Sequence, residues 1–290
     1  MRSIQFLVLL LLCSSCSLML SCNSSKPKET PILKFNLQKG KAYAYSMKVD
    51  IEREMQGQKM NSMMNFDYDV EVIDDKDNIK TLKSTYRKVM MNMKLPQMNV
   101  DVDTDRPVSD TIIDKNNPMA FFGNMFHAIV GKSFTLKVDA EGKVLEVTGL
   151  KEMGEAMMAS MKPDETLRPV IEQAFNSQFN EASMKQNFSQ AFNIFPNKPV
   201  KVGDSWEKNM TLGGMMPAVV KTVYTVKDIK ADKITLDVQS NTEIQNTKSL
   251  MTGSMMVDPV TGLVTDADME QKSEGMSKST TKIKITGKEK

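Results

Sequence analysis

Two regimes of hydrophobic spacing divide this chain. Between residues 117 and 195 apolar side chains recur at helical intervals, and on either side they alternate with polar ones. Met119, Phe122, Phe126 and Ile129 fall at i, i+3, i+7 and i+10, with Pro118 suited to a first turn and Gly131 to a stop. Leu150, Met153, Met157, Met158 and Met161 make a second stripe. Val170, Ile171, Ala174 and Phe175 make a third, starting at Pro169 because proline fits a helix's first position and not its interior. Met184, Phe188, Ala191, Phe192 and Phe195 make a fourth, stopped by Pro196. Stripes this wide require burial, and the flanking segments supply the partner.

Those segments predict strands. Thr235-Leu236-Asp237-Val238 and Thr281-Lys282-Ile283-Lys284-Ile285 alternate with period two, so one face is solvated and the other buried, as in antiparallel meanders. The two segments also resemble each other. Gly40-Lys41-Ala42-Tyr43 opens one and Gly203-Asp204-Ser205-Trp206 the other. Residues 66–73 and 80–89 correspond to 219–226 and 233–240, and the hairpin around Asp139-Ala140-Glu141-Gly142 to that around Asp258-Pro259-Val260-Thr261-Gly262. A duplicated unit accounts for this; a coincidence of generic hairpins is the alternative. The predicted class is α+β: two similar curved antiparallel β units, a candidate duplicated half-barrel, with a helical layer from the middle of the chain. The divisions are a first β unit with an inserted helix at 32–149, a helical segment at 150–196 and a second β unit at 197–290.

Residues 1–21 read as a leader. Arg2 gives it a positive start, and residues 4–12 an apolar core too short to span a bilayer. Met19-Leu20-Ser21-Cys22 resembles a bacterial lipobox, cut before a cysteine that is then acylated, although Met19 stands where the pattern prefers Leu. Cys13-Ser14-Ser15-Cys16 is a poorer competitor, and an ordinary secretory cut a third option. With the cut before Cys22, residues 22–31 become a lipidated cysteine and flexible tether, and several acyl chains anchor the protein to a membrane. All three cysteines lie within the first 22 residues, which removes disulfides, thiolate zinc sites and thiol catalysis from the mature body. The balance of 38 basic to 36 acidic residues, with 6% aromatics and no basic stripe, argues against a nucleic-acid binder.

Methionine is the compositional outlier, and all but Met1 and Met19 of its 26 copies follow Cys22. Met90, Met91 and Met93 are candidate soft ligands, since Met91 and Met93 share a strand face and thioethers suit Cu(I). Met153, Met157 and Met161, at helical spacing, favour packing or an adaptable apolar groove instead. His127 is the only histidine, and with no second His and no Cys it completes no common metal site without Met or carboxylates. Asp101-Val102-Asp103-Thr104-Asp105 begins like a calcium loop but has Arg106 and Ile112 where Gly and Glu belong. Gly203-Asp204-Ser205-Trp206-Glu207 lacks the second glycine of a nucleophile elbow. Trp206, the sole tryptophan, anchors the second unit's core or touches a ligand.

The lipobox, Leu33-Lys34-Phe35-Asn36-Leu37-Gln38-Lys39-Gly40, the Met-studded strands, Asn117-Pro118-Met119 and Pro199-Val200-Lys201-Val202-Gly203-Asp204-Ser205-Trp206 together resemble a family of uncharacterised Bacteroidota lipoproteins, over essentially the whole mature chain. The layout is more distantly similar to the lipoprotein carriers of the Gram-negative envelope, whose open β half-barrel is lined with apolar residues under helices. The resemblance implies an outer-membrane lipid anchor at Cys22 and a body facing the periplasm. The expected function is non-enzymatic and without a cofactor: binding or carrying a hydrophobic, lipid-like ligand between sheet and helices. Phe122, Phe126, Met153, Met157, Phe175, Phe188, Phe192 and Trp206 are its candidate lining. An envelope scaffold that meets a protein partner, and a Met-rich copper-binding lipoprotein, are the alternatives.

Overall fold

A computed structural model describes residues 30–55, 57–95, 98–107, 118–161, 163, 165–166, 168–178, 180–212, 218–244, 247–275 and 278–290. The leader, Cys22 and its tether lie outside the described residues. Pro31–Lys290 forms one compact unit.

Among the described residues fourteen strands and four helices follow one another along it. The first group is β1 (Ile32–Leu33), β2 (Ala42–Met55), β3 (Gln58–Lys76), β4 (Ile79–Leu95), β5 (Met98–Asp103), α1 (Pro118–Ile129), β6 (Ser133–Val138) and β7 (Val144–Thr148). Three helices come next: α2 (Leu150–Met161), α3 (Arg168–Gln178) and α4 (Glu181–Phe192). The chain ends with β8 (Lys198–Pro199), β9 (Ser205–Leu212), β10 (Ala218–Ile229), β11 (Ile234–Ile244), β12 (Thr247–Val257), β13 (Val264–Glu274) and β14 (Lys278–Glu289).

Twelve of the strands form one antiparallel sheet in the order β7-β6-β4-β3-β2-β14-β13-β12-β11-β10-β9, with β5 also on β4, while β1 pairs with β8. The protein is thus mostly antiparallel β with a few short helices, which bears out the predicted antiparallel strands while the helical share is smaller than an α+β class implies. The two predicted β units share one sheet. They merge where β14 pairs with β2 along its whole length, from Lys278↔Glu54 to Glu289↔Tyr43. The sheet stays open, because β7 and β9 are its edges and do not pair.

Connectivity explains where the helices go. The chain meanders from β2 outward to β7, then must reach β9 at the opposite edge before meandering back to the centre. A connection between opposite edges has to cross a face, and α2, α3 and α4 make that crossing. Asn180 caps α4, its side-chain oxygen accepting from Ser183 N–H at 2.9 Å, and Glu181 in the first turn suits the positive end of the helix. The fourth stripe predicts helix to Phe195, but α4 stops at Phe192 with Asn193 as its C-cap. Ile194, in the turn that follows, and Phe195 instead drop into the core at 3% and 1% exposure.

Strand alternation decides the inner face. Tyr43, Val70, Val72, Leu82, Leu136, Ile234 and Leu236 are fully buried beneath the crossing. Leu33, Phe35 and Leu37 alternate inward from the segment that precedes β2 and seal one end of the core. Two local closures recur in the two halves. Gly40 N–H donates to Val72 O and Val72 N–H to Lys41 O; Gly203 N–H donates to Val226 O and Val226 N–H to Asp204 O. The hairpins at Asp139 and Asp258 are likewise closed by Gly142 N–H to Asp139 O and Gly262 N–H to Asp258 O, both at 3.0 Å.

Candidate functional site

A cavity of about 480 Å³ lies between α4 and the inner face of the sheet. Tyr68 of β3 and Met210 of β9 both line it. Seven interstrand steps separate them, about 34 Å across a flat sheet at the usual strand spacing. A cavity this small touches both only because the sheet curls around it.

Helix α4 is its roof, fastened to both sheet edges. Val144 N–H at the start of β7 donates to Ser189 Oγ at 3.0 Å. On β9, Lys208 Nζ donates to Asn193 Oδ1 at 2.8 Å and Trp206 Nε1 to Ile194 O at 2.7 Å. Ser189 and Asn193 are one helical turn apart, so a single turn stands where the edge strands would otherwise pair. Phe188 and Phe192 project from it into the cavity, their rings 6.0 Å apart, and Phe192 packs on Phe35 at 5.1 Å.

The floor comes from the strands: Met47, Val238, Met251, Met255, Ile283 and Ile285 are among its apolar positions. Tyr45 and Tyr68 stack at 5.4 Å and also face the cavity. They are half-buried by area because their exposed part opens onto this cavity. Burial, reinforced by neighbouring tyrosines, pushes both phenols far above their ordinary value of 10, and burial pushes Tyr224 up to about 12. All three stay neutral at any physiological pH. Trp206 stacks on Tyr224 at 5.7 Å and buttresses the wall from the edge.

A larger depression, about 950 Å³, lies between α2, α3 and the start of α4. Its walls carry Lys151, Glu155, Arg168 and Glu172, which pair along their own helices at 3.8 and 3.7 Å. Among the described residues its lining carries charged side chains and that of the smaller cavity carries none, so the smaller cavity is the better site for an apolar ligand.

The candidate lining is thus dispersed. Phe188 and Phe192 line the cavity, and Trp206 stands behind Tyr224. Phe126, Met153 and Met157 are buried in packing at 6%, 1% and 1% exposure, and Phe175 packs against Gly154 of α2. Phe122 is on α1, but its side chain lies outside the described residues. Trp206 is the one strand residue in that candidate lining, although strands supply most of the wall. One signal could have found them: along β11 the inward positions Ile234, Leu236 and Val238 give way to Ser240 and Thr242.

The metal candidates divide by face. Met91 pairs with Met64 across β3 and is buried at 7% in the main core, with Met93 packed against it. Met90, one residue off, pairs with Asn65 on the other face, so the three thioethers do not converge from one side. The calcium-like carboxylates are occupied by cations: Asp101 by Arg106 at 3.0 Å, Asp103 by Lys88 at 3.3 Å, and Asp105 by Lys88. Among the described residues no cluster of three His, Cys, Asp or Glu could hold a metal. Half-buried His127 has its pKa lowered by burial, against the pull of Asp103. Ser205 Oγ bonds Thr225 Oγ1 at 2.8 Å. Among the described residues no helix is long and apolar enough to cross a membrane.

No curated protein matches the chain. Among solved structures, one described as lipid–protein interactions in lipovitellin aligns with a TM-score of 0.48 at 10% identity, over 87% of this chain and 25% of that one. This chain therefore spans a quarter of the length of that relative. Pseudomonas aeruginosa OccK2 (OpdF), in complex with glucuronate, aligns with a TM-score of 0.18 at 7% identity, over 90% of this chain and 99% of that one. A family model described as a family of unknown function, DUF6263, matches residues 77–288, and the chain belongs to that family.

Proposed function

We propose that this protein is a non-enzymatic binder or carrier of a hydrophobic, lipid-like ligand, held in the cavity between α4 and the curled sheet. One observation carries the reading: a cavity of about 480 Å³, within the range of small-molecule sites, walled largely by Met, Phe, Ile, Val and Tyr. Apolar side chains that face space instead of one another forgo packing energy, a cost that an apolar occupant returns. The lipobox-like Met19-Leu20-Ser21-Cys22 supports anchoring through an acylated Cys22 in the outer membrane, with the body facing the periplasm. The recurrent Gly40 and Gly203 closures, and the paired Asp139 and Asp258 hairpins, support descent from a duplicated unit.

Native mass spectrometry of the protein purified from a Gram-negative envelope tests the reading. Added mass that denaturation releases as an apolar molecule is the expected result, and Phe188→Asp in the roof should abolish it. A bare chain mass that does not change on incubation with lipid extract would refute the reading.

A further inference from the structure

The inner face of the sheet is graded, and the strand register displays the gradient row by row. One row crosses Met47, Ile285, Ala267, Met255 and Leu236, and the next crosses Val49, Ile283, Met269, Gly253 and Val238. Both are apolar. The following row crosses Thr281, Gln271, Met251, Ser240 and Thr222, and the one after it Ser279, Ser273, Ser249 and Thr242; hydroxyl and amide side chains dominate both, with Met251 interrupting the first and Val220 and Met210 ending the second on β10 and β9. These polar side chains bond to one another across strands, Thr222 to Ser240 at 2.9 Å and Ser249 to Ser273 at 2.7 Å. From the roof, Asn187 and Gln190 line the same cavity.

Every polar residue in that lining is neutral; among the described residues none that lines the cavity is charged. The nearest inward-facing cations do not alter this. Lys208, opposite Thr222, is engaged with Asn193. Arg53, opposite Ser279, sits at the exposed strand ends between Glu52 and Glu54. An ionised carboxylate or phosphate placed among the rows of β11–β14 would lose its hydration with no cation among the lining residues to replace it, a heavy cost; Lys208 stands apart from them on the edge strand β9. A hydroxyl, ester or carbonyl faces no such penalty, because serine and threonine hydroxyls both donate and accept.

Building on the cavity reading above, we propose that the ligand is an uncharged amphipathic lipid, its tail along the apolar rows and a hydroxyl, ester or carbonyl group against the hydroxyl rows of β11–β14. The site discriminates against lipids whose buried end is an anion.

Monoolein and oleate share a tail and differ in head group, so their competition for the cavity isolates this property. Displacement of Nile red from the purified protein at about pH 8, where oleate is ionised, gives the readout. Monoolein should displace the dye at a concentration at least about tenfold below oleate, a difference of about 1.4 kcal/mol. Gln271→Lys, which puts a cation among the hydroxyl rows at a half-buried position, should move the ratio towards oleate by about tenfold. Oleate displacing as well as monoolein overturns the inference, and so does a folded Gln271→Lys variant with an unchanged ratio. The wild-type comparison stands whether or not the variant folds. Failure of Nile red to bind at all refutes the cavity reading itself and this inference with it.

Discussion

Gly142 lies so close to Phe192 that a Cβ on the glycine would stand 2.2 Å from the Phe192 carbonyl oxygen. The β6–β7 hairpin thereby props the last turn of α4, from which Phe192 enters the cavity. Gly142 also has φ +85°, where a side chain is strained. Gly142→Ala should cost about 2 kcal/mol or more and loosen the roof. Urea denaturation should show the lost stability, and Nile red titration a weakened affinity at denaturant concentrations where the variant is still folded.

Methionines in the two environments should separate cleanly. Met153→Ala leaves a hole in a filled core and should cost about 2–4 kcal/mol while leaving dye affinity unchanged. Met251→Ala removes a half-buried wall of the cavity and should lower dye affinity several-fold at little cost in stability. Equal effects of the two on dye binding would contradict the assignment of the cavity.

Trp206 is a built-in reporter. As the sole tryptophan it gives an unmixed signal, and its stacking on Tyr224 puts it one ring from the cavity. Bound Nile red should quench its emission by energy transfer, and monoolein should restore it. Trp206→Phe, which strands the Ile194 carbonyl, should cost about 1–3 kcal/mol in thermal or urea unfolding.

These experiments also sort what the sequence made legible. The helices were, because Pro118, Gly131 and the periodic stripes are local signals. The overrun at Ile194 and Phe195 arose because apolar residues continue past the cap, and periodicity alone does not distinguish a helix from a non-helical core segment. Merging of the two β segments was not legible, since the Tyr43–Glu289 pairing leaves no mark in either local pattern. The strand wall of the cavity was hidden for a related reason. Alternation marks Met251 and Leu236 alike as inward, but whether a side chain or empty space faces them depends on where the crossing helix comes to rest.

Asp69 offers a pH test. Burial raises its carboxyl pKa, but hydrogen bonds and charge from Lys290 and Arg87 outweigh burial and leave it below the ordinary 3.8. Lys290 Nζ lies at 2.9 Å and Arg87 Nε at 2.5 Å. A folded-state pKa below the unfolded one means stability present above the unfolded value and lost as pH falls through the folded one. Asp69→Asn should cost about 1–3 kcal/mol at neutral pH. The gap to wild type should narrow as pH falls below 3.8, as urea midpoints across the acid range would reveal.

The union of β2 and β14 has a kinetic consequence. Lys41 and Glu289, joined by a salt bridge of 2.6 Å at its end, are 248 positions apart in sequence. Each meander can zip from short hairpins, whereas this seam requires the largest loop in the molecule to close. The most central line of the finished sheet is thus expected to be the last to form. Until it does, two half-sheets with raw edges wait in the compartment where the chain folds, exposed to strand exchange with other copies.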